Sequence, residues 1–147
     1  MPDYTIRPAT AADAETIKRI VRSNPLDPNA IDWHYFLVLE VVADGQPKIA
    51  SIGMVHPEGD VQEIDSVATL PEYRRRGYAE AIVRALIKRS PHPTYLLSET
   101  KLIPYYEKFG FRLLNAPEAP QVMIEQAEWV NNFLGGRVTY YVMGKTD

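Results

Sequence analysis

Apolar and polar positions along the chain follow two spacings, which predict strands and helices separated by Pro and Gly residues. Alternating or continuous apolar runs predict strands, and apolar residues spaced three and four apart predict helices. The predicted strands cover residues 4–8, 35–43, 48–56, 61–69, 94–98, 111–114 and 137–143. The predicted helices run from Thr10 to the break at 24–25, and over 78–89, 104–109 and 121–134. This order predicts a mixed α/β sheet with helices on both faces.

Turn and cap residues support several of these boundaries. Thr10 and Asp13 have the spacing of an acidic capping box at the start of the first helix. The Asp-Gly pair at 44–45 predicts a hairpin turn, and the segment 57–60 predicts the next turn. The continuous apolar run 35–43 predicts a strand that is buried on both faces.

Two elements have predicted faces that matter for function. In the strand 61–69, a period of two predicts one shared face for Val61, Glu63, Asp65, Val67 and Thr69. In the helix 121–134, one side is predicted to carry Val122, Gln126, Trp129, Val130 and Phe133.

Composition and charge narrow the class of protein. The chain has 147 residues, of which 46% are hydrophobic and 24% charged, as expected for one folded domain over residues 1–147. The formal charge of −3 argues against a dedicated nucleic-acid binder. The sequence contains no Cys, and its three His residues lack metal-ligand spacing, so no metal site is expected. The sequence shows no signal peptide and no membrane-spanning run, so we expect a cytoplasmic protein without a membrane partner.

A loop rich in arginine is the strongest chemical feature. Arg74, Arg75, Arg76 and Gly77 follow a predicted strand and precede the amphipathic helix that begins at Tyr78. A helix N-terminus offers N–H donors to a phosphate, and arginines add charged hydrogen bonds. The loop lacks the Gly-Lys-Ser/Thr ending of a P-loop and the Gly-x-Gly-x-x-Gly of a dinucleotide-binding turn. The alternatives are a solvated arginine cluster and a small nucleic-acid patch.

The chain resembles the GNAT acetyltransferase superfamily at three places. Arg74, Gly77 and Ala79 match its Gln/Arg-x-x-Gly-x-Gly/Ala cofactor loop. Residues 104–111 resemble its aromatic-Tyr-Glu-Lys-x-Gly-Phe signature, and residues 6–10 are typical of its first strand and helix. The three segments occur in the family's order.

The resemblance implies a mixed, mostly antiparallel sheet of about seven strands, with the fourth and fifth strands splayed apart. It also implies that acetyl-CoA enters this gap, with its pantetheine arm paired to the fourth strand and its pyrophosphate on the loop. The cofactor-binding residues implied in this way are Val67, Ala68, Thr69, Arg74, Arg75, Arg76, Gly77, Tyr78 and Ala79.

The resemblance further implies direct transfer of an acetyl group to an amine in a ternary complex. Amine acylation needs a proton acceptor for the amine and a proton donor for the departing thiolate. Glu63 is the candidate base, with Asp65 in reserve, and Tyr106 is the candidate acid. The alternatives are a Glu63 that only attracts a cationic substrate and a Tyr106 that is a core aromatic residue.

Residues on the acceptor side depart from the family pattern. Glu99 stands where many members have Asn, and its charge would favour a cationic small-molecule or peptide amine. Trp33 and Tyr35 lie where the family's variable loop shapes the acceptor site, although core packing explains them equally well. The extra segment 117–136 is interpreted as a packing helix, a pocket wall or a homodimer surface. The rival functions are a non-catalytic acyl-CoA sensor and, less favoured, a nucleic-acid-binding module.

Overall fold

A computed structural model describes residues 3–22, 32–90 and 93–145. Within these residues the strands are β1 (Tyr4–Pro8), β2 (Phe36–Ala43), β3 (Gln46–Glu58), β4 (Val61–Thr69), β5 (Thr94–Glu99), β6 (Arg112–Leu113) and β7 (Tyr140–Lys145). The helices are α1 (Ala14–Arg22), α2 (Tyr78–Arg89), α3 (Ile103–Glu107) and α4 (Gln121–Leu134). The sheet order is β1-β2-β3-β4-β5-β7-β6. The predicted fold class, a mixed and mostly antiparallel sheet, is confirmed.

The chain divides into two compact units, residues 1–55 with 66–89 and residues 56–65 with 90–147. In the first unit, β1 pairs with β2, and β2 pairs with β3, both antiparallel. The turn between β2 and β3 has Asp44 at φ 53° and Gly45 at φ 75°. Two positive φ angles are what the favoured type I′ hairpin requires, so the predicted turn is confirmed.

Helices α1 and α2 supply much of the core of the first unit. The apolar stripe of α1 is buried as predicted, at Ile17, Ile20 and Val21. On α2, a Cβ added to Gly53 would lie 2.7 Å from a methyl carbon of Ile82 and 2.9 Å from one of Leu86. A glycine at position 53 therefore allows this helix to pack closely on β3.

In the second unit, β4 and β5 are parallel over two residue pairs, Gln62 with Thr94 and Glu63 with Tyr95. The remaining pairs, β5 with β7 and β6 with β7, are antiparallel. The short parallel ladder is what strands that splay apart would form.

The side chain of Asn131 on α4 holds the start of β7 in place. Its Oδ1 accepts a hydrogen bond from the N–H of Tyr140 at 2.7 Å, and its Nδ2 donates to the carbonyl of Tyr140 at 3.0 Å. This pairing satisfies both backbone groups of Tyr140 where the strand begins.

The prediction that alternate residues of β4 share one face from Val61 to Thr69 is wrong. Ser66 lies at φ 55°, in the left-handed region, which interrupts the extended alternation between Asp65 and Val67. Adjacent Glu63 and Ile64 are both buried, so burial does not follow a period of two here either. The prediction failed because a single residue outside the β region shifts the side-chain alternation of everything after it.

Helix α4 has the predicted bounds but buries a different stripe. Met123, Ala127 and Val130, spaced four and three apart, face the core. Trp129 is 59% exposed and Phe133 is 65% exposed, and their rings stack 5.5 Å apart. The sequence offers two adjacent apolar stripes, and packing uses the one with the smaller side chains. The homodimer interpretation of this helix stays a prediction.

Smaller differences concern element ends. In β2, residues 36–39 are buried, but Val42 is exposed, so burial on both faces holds only for the first half. β3 extends through Glu58 into the predicted turn, and β7 begins at Tyr140 rather than at 137. No helix in the described ranges combines the length and apolar character that crossing a bilayer requires.

Candidate active site

The arginine loop lies in the first unit, between the end of β4 and the start of α2. After a single turn of 3-10 helix at Pro71–Tyr73, residues 74–77 are exposed. Arg75 has φ 65° and Gly77 has φ 81°. These left-handed positions redirect the backbone into the first turn of α2, and only glycine takes the second without strain.

Backbone amides at this helix start can receive an anion. The first hydrogen bond of α2 joins the N–H of Ala81 to the carbonyl of Gly77 at 3.1 Å. The amides of Tyr78 and Ala79 precede it and have no carbonyl partner inside the helix. A Cβ added to Gly77 would meet no atom within 4 Å, so the space beside this turn is open. The loop therefore fits a pyrophosphate, with N–H donors and a positive helix end.

The three arginines differ in the contacts that their side chains make with the loop. Nε of Arg74 donates to the carbonyl of Thr69 at 3.2 Å, and the guanidinium of Arg76 lies 5.6 Å above the ring centre of Tyr73. Arg75 is exposed at the apex of the loop. All three carry fixed positive charge close to the open side of the turn.

The side chain of Tyr78 points into the first unit. It is buried, its hydroxyl donates to Asp3 at 3.3 Å, and its ring packs edge-on against Tyr4. Its backbone N–H, but not its phenol, can therefore take part in cofactor binding.

The end of β4 is held by polar contacts with β3. Oγ of Ser51 lies 2.8 Å from Oγ1 of Thr69 and donates to the carbonyl of Ala68 at 3.0 Å. The side chain of Val67 lies near Gly53, within the packing of α2. Any contact of Val67 with the pantetheine arm would thus use backbone atoms.

Glu63 lies in the second unit and is almost completely buried, with 2% of its surface exposed. Its Oε1 is 3.4 Å from Nε2 of His56, and Gln126 of α4 also interacts with its carboxyl group. Burial raises the pKa of Glu63 above its usual value, against the opposing effect of His56. A carboxyl group with a raised pKa can exchange a proton closer to neutral pH.

His56 connects this carboxyl group to a second one. Its Nδ1 is 3.8 Å from Oε2 of Glu58 and 3.1 Å from the carbonyl of Pro57. Burial alone would lower the pKa of His56, but the interaction with Glu63 raises it overall. Donor atoms of His56, Glu58 and Glu63 lie within 4.8 Å of one another. Glu63 lies beside Nε2 of His56, and Glu58 lies beside Nδ1. A single metal ion would bind His56 through only one of these two nitrogens.

Tyr106 lies on α3 beside other aromatic rings and in the field of two acidic residues. Burial raises its pKa to about 12, and Tyr105, Asp65 and Glu99 add to the effect. The phenol of Tyr140 is influenced by the same Asp65 and Glu99, and burial raises its pKa as well. The structure thus brings Asp65, Glu99 and Tyr106 into one electrostatic environment.

Trp33 and Tyr35 belong to the first unit, in a 3-10 turn at Trp33–Tyr35. Trp33 packs against the core that contains α1, as the packing interpretation requires, while Tyr35 is partly exposed. Neither observation assigns them to acceptor binding.

Three residues near Glu63 and Tyr106 were not identified from the sequence: His56, Gln126 and Tyr140. His56 was missed because the turn was predicted at 57–60; the observed two-residue turn at 59–60 places His56 opposite Glu63. Gln126 and Tyr140 carry no such local signal, since they reach the site through the packing of α4 and β7.

Comparison with known protein families shows which family this chain belongs to. The model of the acetyltransferase (GNAT) family matches residues 7–111. This chain belongs to the GNAT acetyltransferase family. The activity of a GNAT enzyme is acetyl transfer from acetyl-CoA to an amine, which confirms the expected enzyme class and cofactor. No curated protein sequence matches the chain.

Solved structures show the same fold at low sequence identity. N-acetylglutamate synthase from Neisseria gonorrhoeae, in complex with coenzyme A and N-acetyl-glutamate, has a TM-score of 0.75 and 19% identity. This GNAT chain is covered to 99% but spans only 35% of that protein. Rv2747 from Mycobacterium tuberculosis, in complex with coenzyme A, has a TM-score of 0.75 and 20% identity, with 97% and 99% of the chains covered.

A third structure is the ribosomal-protein-S18-alanine N-acetyltransferase from Escherichia coli. Its TM-score is 0.68 and its identity 19%, with 97% of this chain and 93% of that chain covered. At these identities the likeness establishes the fold, and it leaves the acceptor of this chain open.

Proposed function

We propose that this enzyme transfers the acetyl group directly from acetyl-CoA to a cationic amine, with Glu63 as proton acceptor. Bound acetyl-CoA supplies the activated thioester. The arginine loop 74–79 binds the pyrophosphate through the backbone amides after Gly77 and through arginine charge. The observation that carries the proposal is the buried carboxyl group of Glu63, whose pKa is raised by burial.

Glu63 takes the proton that the amine must lose before or during attack on the thioester. Because Glu63 is buried, it reaches the amine through a water molecule or through a small movement of the acceptor. A positioned base of this kind accelerates proton transfer about 100-fold to 10,000-fold. A raised pKa makes the carboxylate a stronger base than a surface glutamate.

Tyr106 acts on the leaving thiolate as a hydrogen-bond donor. A thiol has a pKa of about 8.5, whereas the pKa of Tyr106 is raised to about 12. Complete transfer of the phenol proton is therefore uphill by several kcal/mol at 1.36 kcal/mol per pKa unit. Donation of a hydrogen bond stabilises the thiolate without that cost.

The acidic environment of the second unit favours a positively charged acceptor. Asp65 and Glu99 both act on Tyr106, so two carboxylates contribute negative charge near the phenol, of which Glu99 also pairs with Lys101 at 3.4 Å. An ammonium ion is attracted to such a region, while an acceptor with its own carboxylate is disfavoured. Polyamines, aminoglycosides and peptide N-termini are therefore better candidates than glutamate. We also propose a cytoplasmic location for the enzyme.

A thiol-release assay with acetyl-CoA tests this function. The panel is spermidine, kanamycin, L-lysine, a peptide with a free N-terminus, and L-glutamate, each amine paired with its acetylated amide. We expect CoA release with cationic amines at least tenfold faster than with glutamate, and none with the amides. Calorimetry with CoA, comparing wild type with Arg75→Gln, checks the loop, where we expect about tenfold weaker binding.

Two results would contradict the proposal. Equal rates of CoA release with the amines and with their amides would show that the acetyl group is not transferred to the amine nitrogen. Tight acetyl-CoA binding without CoA release across the whole panel would instead favour an acyl-CoA sensor.

A further inference from the structure

A line of three polar side chains leads from the interior of the second unit toward its surface. Glu63 on β4 is 2% exposed, His56 on β3 is 16% exposed, and Glu58 at the end of β3 is 34% exposed. The imidazole lies between the carboxyl groups, with Nε2 toward Glu63 and Nδ1 toward Glu58. Exposure rises at each step outward.

The sequence produces this line through the hairpin of β3 and β4. His56 and Glu58 are two residues apart in one strand, so they share a face. β3 ends at Glu58 and β4 begins at Val61, which leaves a two-residue turn at 59–60. Such a turn places His56 opposite Glu63, at the distance where cross-strand pairs interact.

The carbonyl of Pro57 determines which nitrogen of neutral His56 carries the proton. A carbonyl can only accept, so the contact of 3.1 Å to Nδ1 requires a proton on Nδ1. In the neutral ring Nε2 is then an acceptor, and it faces Oε1 of Glu63. The lone pair of Nε2 therefore faces Glu63, and at 3.4 Å the two atoms must come closer before a proton can pass between them.

We propose that His56 is a positioning residue that returns Glu63 to its basic form after each acetyl transfer. The proton moves from Oε1 of Glu63 to Nε2 of His56, which forms the imidazolium. The Nδ1 proton then leaves to Glu58 and water, which leaves a neutral ring protonated on Nε2. When the products leave, Nδ1 takes up a proton from water and Nε2 releases one to water, so the starting tautomer is restored and one proton has left in total. This inference rests on the proposed role of Glu63 as base.

The surrounding charges are compatible with this exchange. Glu63 and Asp65 on β4 face His56, Glu58 lies on its own strand, and Gln126 contributes from α4. Burial raises the pKa of Glu63, which brings it nearer to that of an imidazole. The two groups interact closely enough to titrate as a pair.

Rapid-quench kinetics with acetyl-CoA and the fastest amine of the panel separate the two roles. With His56→Gln we expect a first turnover close to wild type, and a steady-state rate about tenfold lower in weak buffer. Added imidazole should restore the steady-state rate. Glu63→Gln should slow the first turnover about 100-fold without rescue. The matched control is His34→Gln, an exposed histidine whose Nδ1 lies 2.6 Å from Asp32; it should behave as wild type.

A measurement without substrate supports the kinetics. In nitrogen-15 NMR of the histidine rings, neutral His56 should carry its proton on Nδ1, and Glu63→Gln should lower its pKa. A neutral ring protonated on Nε2 would overturn the relay. So would equal slowing of first and later turnovers in His56→Gln without imidazole rescue, or no slowing at all. A Glu63→Gln enzyme with an unchanged first turnover would instead refute Glu63 as the base.

Discussion

The two units each contain a buried carboxyl group, and the two groups are neutralised in different ways. In the first unit, Asp13 is paired with Arg7 through two contacts of 2.8 and 3.1 Å and also accepts from the N–H of Thr10 at 2.7 Å. Arg7 in turn donates to Glu40 at 3.1 Å from Nε and from Nη2, and Nη2 also serves Asp13. Arg7 holds the pKa of Asp13 at about 2.

In the second unit, Glu63 has no arginine among the partners that the structure describes. It has His56 and Gln126, with Asp65 adding repulsion. The effect of burial is therefore larger than the opposing effects of His56 and Gln126, and the pKa of Glu63 is raised. The difference teaches that a guanidinium fixes a carboxylate in its charged form, whereas an imidazole leaves the proton exchangeable. The first arrangement stabilises the fold, and the second suits catalysis.

Asp13→Asn should have the largest effect on stability. Lowering the pKa of Asp13 from 3.8 to about 2 corresponds to about 2 kcal/mol at neutral pH. Since the folded pKa is depressed, this contribution is complete above pH 3.8 and is lost as the pH falls toward 2. Urea unfolding at pH 7 measures the full contribution of Asp13, and urea unfolding at pH 2.5 measures how much of it is lost. The kcat of the variant should equal that of wild type.

The matched control for Asp13→Asn is Glu15→Gln, because Glu15 is an exposed residue in the first turn of α1. It should change stability by less than about 0.5 kcal/mol. A loss in Asp13→Asn that is equal at both pH values would point to packing rather than to the ion pair, and would break the comparison.

The extent to which sequence predicted these two groups depends on separation along the chain. Asp13 and Thr10 are three residues apart, so the capping box was readable from local spacing. Glu40 reaches the same arginine from β2, and no local pattern predicts that contact. The arginine loop and Tyr106 were predicted as site residues because their spacing matches a family pattern.

The surroundings of Glu63 were harder to predict for the same reason. His56 is seven residues away, across one hairpin, whereas Gln126 comes from helix α4, which is more than 60 residues away along the chain. The prediction of a shared face on β4 failed at Ser66, which has a left-handed backbone conformation. Glycine usually signals such a conformation in a sequence, and Ser does not. Side-chain identity can suggest a base, but its pKa depends on tertiary packing.

Tyr106→Phe sharpens the comparison within the second unit, where acidic residues also act on the phenol. We expect kcat to fall about tenfold, which is about 1.4 kcal/mol, because a hydrogen bond to the leaving thiolate is lost. The KM for acetyl-CoA should change by less than a factor of about two. Steady-state thiol release measures both constants.

The pH dependence of Tyr106 gives an independent check. With a pKa of about 12, the phenol keeps its proton throughout the usual assay range. Wild type should therefore show no fall in kcat from this group up to pH 10. Tyr105→Phe is the control, since Tyr105 is its ring neighbour on α3. An unchanged kcat in Tyr106→Phe would remove the phenol from the reaction.

Glu63→Gln should change stability less at neutral pH than Asp13→Asn does, and its pH dependence should be opposite in sign to that of Asp13→Asn. The folded pKa of Glu63 is raised, so folded wild type binds more protons than the unfolded chain above pH 4.5. Its contribution is then lost as the pH rises. The raised pKa of His56 acts in the same direction, because that stability is complete below pH 6.5 and disappears as the pH rises through the folded pKa.

Replacing the carboxyl group by an amide should remove much of this slope, since Gln cannot titrate and His56 loses its charged partner. Urea unfolding at each pH from 4 to 9 should show Glu63→Gln gaining stability relative to wild type as the pH rises. Asp13→Asn should be less stable than wild type by a constant amount throughout this series, because the contribution of Asp13 is already complete above pH 3.8 and changes only at lower pH. Parallel curves for wild type and Glu63→Gln would mean that Glu63 is as fully compensated as Asp13, and the distinction between a structural and an exchangeable carboxyl group would fail.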